Sequence, residues 1–375
     1  MSDVPGPLFR PPRDAAEARY VGLLRVGDPP ADALAEGIAA GAVDFEAVER
    51  ALVRGSAADD PPALRAFLDA LALPLWADPA RMRRGGEALR RTGILGGVVL
   101  ALYALPLGYL SPAGVKPLVL SGRLVEAAPR RLSETNRFLY EVCQPDGLTP
   151  GAPGFVVIAK VRLMHAQVRR RLQATGLWQA GWGSPINQAH LSGTGLLFSL
   201  HALDGLRAMG ARFSAAEVEG YLHLWDVAGH LLGITPELRC PTEAAARRLW
   251  GIIRRVEGPP GAESRALARA LVEQAVPRVL GALLPGVPFE HPQVIERLEA
   301  LSATLLGPEY AAALGLSSGR APPRVVPLVR ALVGGLEAVQ ARSAAGRAAL
   351  LAAGSWMNDQ LVEAALGGEP AAFRE

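Results

Sequence analysis

Apolar positions recur every three or four residues along most of this chain, and the period is clearest from Phe155 to Leu172. There Val157, Val161, Met164 and Val168 fall on one stripe, which predicts a helix with a single buried face. Before it, the pattern predicts an irregular arm over 1–18 and short helices over 31–54 and 62–72, with Asp59-Asp60-Pro61-Pro62 as a stop and restart. A helix near 79–91 follows, and Pro129 opens another that runs to about Cys143, since proline is tolerated in a first turn. The Pro- and Gly-rich stretch from Gln144 to Gly154 predicts a sharp connection into the stripe. Beyond it, an apolar helix is expected near 191–209, and Ser214 with Glu217 reads as a capping box that starts the next. Helices over Thr242–Val256, 262–284, 291–305 and 343–366 complete the pattern. Alternating β-branched residues are scarce, so the expected fold class is all-α.

Ile94–Val115 contains no charged residue and approaches the length of a membrane span. Gly96-Gly97, Pro106, Gly108 and Pro112 interrupt it, so a buried helix and turn is expected, with no transmembrane span. The first residues, MSDVPGPLFRPPRD, lack the apolar core of a secretory signal.

Half of the 375 residues are hydrophobic, enough for a substantial core. The organisation expected is one helical domain over 1–375, made of an N-terminal helical arm (1–80), a core (81–310) and a C-terminal extension (311–375). The net charge is only +3, and the cations are arginines apart from Lys116 and Lys160. The longest basic run, Arg169-Arg170-Arg171, has no interleaved aromatics, which argues against nucleic-acid binding. Cys143 and Cys240 form neither a disulfide framework nor a metal-spaced cluster, which fits a reducing compartment and a cytoplasmic protein.

His165 sits at the edge of the apolar stripe, with Arg162 and Arg169 on the same side of the helix. A neutral imidazole between two guanidiniums suits haem: the nitrogen can bind iron and the cations can meet the propionates. It suits equally a core histidine with a satisfied hydrogen bond beside a solvated arginine face, and spacing alone does not choose. The other histidines offer a rival centre, since Glu219 and His223 are four apart. A di-iron bundle, however, needs Glu-x-x-His pairs on two helices, and neither is present. Tyr221, His223 and Trp225 are instead expected to form a buried polar pack.

The string Val-Arg-Leu-Met-His-Ala-Gln-Val-Arg around His165 resembles the core motif of the latex-clearing protein (rubber oxygenase) and MpaB-like oxygenase family. Arg131 and Thr135, within Arg130–Phe138, are similar to that family's Arg-x-x-x-Thr segment. Gly183-Ser184-Pro185-Ile186-Asn187-Gln188 and Tyr221-Leu222-His223-Leu224-Trp225, followed by Gly229 and Gly233, extend the likeness from about Leu95 to about Leu238. The resemblance implies a globin-like helical core that binds haem b, with His165 as the proximal iron ligand and Arg169 supporting the cofactor. Arg131 and Thr135 would shape an oxygen pocket on the distal side. It also implies an oxygenase that joins dioxygen to a lipophilic, isoprenoid-like substrate.

One position departs from the family. Its latex-clearing members carry a lysine immediately before the threonine, and this chain has Glu134. Glu134 points about 100° away from Thr135 on a helix and is expected to pair with Arg130 or Arg137. The family's catalytic glutamate lies further upstream, where Gly114–Glu126 offers only Glu126, so rubber cleavage itself is not implied. A non-enzymatic haem sensor or carrier, and a cofactor-free helical interaction protein, remain as other readings.

Overall fold

The computed structural model describes residues 8–120, 128–284, 286–317 and 325–366. Among these, every regular element is helical, and the lone β feature is a bridge between Phe9 and Glu257. The all-α expectation holds, and most helices lie within a few residues of their expected bounds. Two differences have local causes. The arm expected to be irregular carries a helix, Ala15–Leu23, started by Asp14, whose carboxylate accepts the Glu17 N–H. The stretch 31–54 divides into Pro29–Ala39 and Phe45–Arg54, because Gly41 turns at φ 71° and Asp44 caps a new start.

Three helical stretches are each interrupted by a π turn, at Leu100–Ala104, Leu197–His201 and Ala270–Ala275. The first packs against the other two. Pro106 and Pro277 follow the first and third π turns within a few residues, and neither has an N–H to continue an α ladder. The Leu102 carbonyl, four residues before Pro106, receives the Ser302 hydroxyl at 2.7 Å instead. The uncharged segment 94–115 is built around the first π turn and is buried in protein: Val99, Leu100 and Ala104 have no exposed surface. Among the described residues, no single helix is long and apolar enough to cross a membrane. Pro79–Arg90 and Leu95–Gly108 would suffice only together, and they meet at an 83° bend.

Pro79–Arg90 lies unusually close to Ala215–Leu231, the helix that the capping box starts. A Cβ at Gly85 would come within 2.4 Å of the Gly220 backbone, so only glycine permits this crossing. The main core joins Leu34, Leu64 and Phe67 from the first helices to Leu163, Leu222 and Leu224. A smaller cluster gathers Tyr20, Leu191, Leu249 and Ile253.

Candidate cofactor site

Two helices build the site: Ala128–Val142, which carries Arg131 and Thr135, and Pro153–Ala174, which carries His165. They pack against each other. Their connection is as sharp as its composition predicts. A Cβ at Gly147 or at Gly154 would stand 2.4 Å from the Glu141 carbonyl, and the Phe155 N–H closes the loop onto the Gly147 carbonyl at 2.8 Å. Pro153 then begins the histidine helix at a position where no N–H is needed.

The two sides of this helix differ in burial. Arg162, Leu163, Ala166 and Arg169 are buried, whereas Val161, Met164, His165 and Val168 are half-buried. His165 makes no hydrogen bond among the described residues, and its Nδ1 is sealed from solvent. Burial, aided by the Arg169 charge and opposed by Asp28, pulls its pKa down from 6.5 to about 4. The ring is therefore neutral at pH 7 with its lone pair uncommitted, which is the state an iron ligand requires. On that observation His165 fits haem.

The flanking arginines are both engaged by the protein itself. Arg162 grips the Asp28 carboxylate at 2.6 and 2.9 Å, and its third nitrogen reaches the Ala70 and Leu231 carbonyls at 3.1 and 3.2 Å. Arg169 holds Asp32 at 2.7 Å and the carbonyls of Pro185 and Ile186 at 3.1 Å each. Each nitrogen of both guanidiniums has at least one protein acceptor. They fasten the histidine helix to Pro29–Ala39 and to the loop before Gln188. The partners stand 134 and 137 residues upstream, where no helical spacing could reveal them. Burial raises the Asp32 carboxyl, and Arg169 opposes that rise.

On the neighbouring helix, the Thr135 hydroxyl donates to the Arg131 carbonyl at 2.6 Å, so its proton is turned back on its own helix. Glu134 pairs with Arg130 at 3.0 Å, as its direction on the helix predicted. Arg131 lies close enough to Tyr109 to offset part of the rise that burial imposes on that phenol. The sequence reading did not single out Tyr109, which lies in the uncharged segment without a motif of its own. Glu126 lies outside the described residues.

Tyr221 and His223 are buried and hydrogen-bonded. Tyr221 donates to the Phe198 carbonyl at 2.6 Å, and His223 Nε2 accepts the Asp78 N–H at 2.9 Å. Trp225 stacks on Phe198, with ring centres 5.0 Å apart, and Phe198 meets Phe138 edge-on at 5.3 Å. Through Phe138 this aromatic pack supports the helix of Arg131 and Thr135. Glu219 is exposed, and no group of three or more His, Cys, Asp or Glu residues among those described could hold a metal ion.

Residues 88–338 match the family described as ER-bound oxygenase mpaB/B'/rubber oxygenase, catalytic domain. The chain belongs to this family. The matched stretch contains both site helices, the uncharged segment from Ile94 and the aromatic pack. A curated relative, the rubber oxygenase of Streptomyces sp. (strain K30), is 31% identical over 183 residues, which are 47% of this chain and 44% of the relative. The alignment thus spans less than half of that protein's length. The solved structure of latex clearing protein LCP in its closed state superposes with a TM-score of 0.62 over 90% of each chain. At 24% identity that likeness shows a shared all-helical fold.

Proposed function

We propose that this member of the family is a haem b-dependent oxygenase acting on a lipophilic, isoprenoid-like substrate, with His165 as the proximal ligand. The observation that carries the reading is the state of His165: neutral, without a hydrogen bond, on the half-buried side of the helix that bears the family motif. Haem bound there would supply the iron that activates dioxygen. The chain supplies the rest. The Arg162–Asp28 and Arg169–Asp32 pairs fix the helix, and so the imidazole, without facing the cofactor. Val161, Met164 and Val168 give the side around His165 the apolar character that excludes water and receives a hydrocarbon chain.

The Arg131 charge is felt at the Tyr109 phenol; in this reading the guanidinium would stabilise negative charge developing on oxygen and the phenol would deliver a proton. Thr135, whose proton is engaged, can only accept there. Glu134, tied to Arg130, leaves the distal position without the lysine found in latex-clearing members. Cys143 and Cys240 are free thiols, in keeping with a reducing, cytoplasmic location. Oxygen uptake by the haem-loaded protein tests the proposal, with squalene as an unsaturated isoprenoid and squalane as its saturated counterpart. Uptake with squalene alone, lowered by Arg131→Ala, is expected. A haem-loaded protein that consumes no oxygen with either would instead be a haem sensor or carrier.

A further inference from the structure

Away from His165, a groove of about 300 Å³ runs between the helices Ala15–Leu23 and Glu243–Val256. Its walls follow helical periodicity. Ala16, Arg19 and Tyr20 come from one face of the first helix, and Ala245, Arg248, Leu249 and Ile252 from one face of the second. Its width is set by Arg255, which reaches the buried Glu17 at 2.6 Å and clamps the two helices together. The floor is apolar, with Leu238 and Leu249 buried.

The rim is cationic. Arg19 and Arg248 are exposed and make no hydrogen bond or ion pair among the described residues. Arg239 is turned inward instead, paired with Asp226 at 3.8 Å and lying 4.8 Å over the Trp76 ring, with its Nε and Nη1 buried. Glu237 is the one acid lining the groove; the Thr235 hydroxyl engages its carboxylate, and the charges of Arg19 and Arg239 help hold its pKa below the usual carboxylate range. Two exposed guanidiniums, Arg19 and Arg248, therefore flank an apolar slot at the lower end of ligand-pocket volumes, about 300–1,000 Å³.

We infer that this groove binds a single-chain amphiphile with a carboxylate head, the head on the arginines and the tail on Leu238, Leu249 and Ile252. Two bidentate-capable guanidiniums recognise a planar carboxylate better than they do a hydroxyl, and they repel an ammonium. The volume admits one short chain, not a polymer. The site shares no residue with the His165 face, so it stands whether or not haem binds there.

Calorimetric titration of the full chain with sodium octanoate tests the inference, alongside 1-octanol, octylammonium chloride and sodium acetate. Saturable binding of one octanoate is expected, with the three controls at least about tenfold weaker, since each lacks the carboxylate or the tail. Arg19→Gln/Arg248→Gln should weaken octanoate about tenfold or more. Ile252→Glu, which places a carboxylate in the slot, should abolish binding while the helical circular dichroism is retained, at some cost in melting temperature because Ile252 packs against the neighbouring core. Equal binding of octanol or octylammonium, no saturable binding of octanoate, or full affinity in the arginine variant would each overturn the assignment.

Discussion

His165 and His201 share a chemical state and differ in surroundings. Burial drives both rings down to a pKa of about 4, and neither makes a hydrogen bond among the described residues. His201 is 3% exposed, set in a π turn with Trp250 and Tyr103 edge-on at 4.4 and 6.1 Å, and both of its nitrogens are sealed. At His165 only Nδ1 is sealed, the residue is half-buried, and the helix of Arg131 and Thr135 packs alongside. A neutral, unpartnered imidazole is thus not a ligand by itself. Access to one nitrogen and a frame that fixes the ring separate a candidate ligand from a core residue.

The frame can be removed without touching either histidine. Asp28→Ala leaves Arg162 charged and buried without its partner, and stability should fall by about 3–5 kcal/mol, read by denaturant unfolding. If the loss stays near zero, the pair is not what positions the His165 helix.

Acid should expose what the two rings have in common. Their folded pKa values of about 4 lie below the ordinary 6.5, so between these values the unfolded chain binds protons that the folded chain refuses. Stability is therefore complete above pH 6.5 and falls as pH drops towards 4. For the buried His201 the full effect is on the order of 3 kcal/mol. His201→Phe should flatten that part of the pH profile, and an unchanged profile would mean that the ring is not held neutral by burial.

The connection between the site helices gives a smaller effect. Gly154→Ala must displace the Glu141 carbonyl and should cost about 1–3 kcal/mol, with a fall in melting temperature. Smallest of all is Glu134→Gln, which removes a half-exposed i,i+4 pair with Arg130 and should change stability by about 0.5 kcal/mol or less. A large loss there would show that Glu134 does more than pair with its neighbour.

Local chemistry made much of this legible in the sequence. The Ser214–Glu217 box is a signal within one turn, and the structure keeps it. The stripe of Val157, Val161, Met164 and Val168 rightly marked a helix but not its buried face: of the four only Val157 is buried, and the buried side runs through Ile158, Arg162, Ala166 and Arg169. The direction of Glu134 follows from helix geometry alone. The roles of Arg162 and Arg169 did not, because Asp28 and Asp32 approach through tertiary packing and leave no trace in spacing. The π turns escaped for a related reason: Pro106 and Pro277 hint at two, but nothing near Leu197–His201 announces the third. Tyr109 shows the same limit. A half-buried tyrosine in an apolar run reads as core until the Arg131 charge is found to act on its phenol.

The central claim is that His165 holds haem, and titration of the haem-free protein with haemin tests it most directly. The wild type and His201→Ala should each bind one equivalent with a sharp Soret band, while His165→Ala loses saturable binding yet keeps its helical circular dichroism. A His165→Ala protein that titrates like the wild type, or a His201→Ala protein that alone fails to bind, would contradict the account.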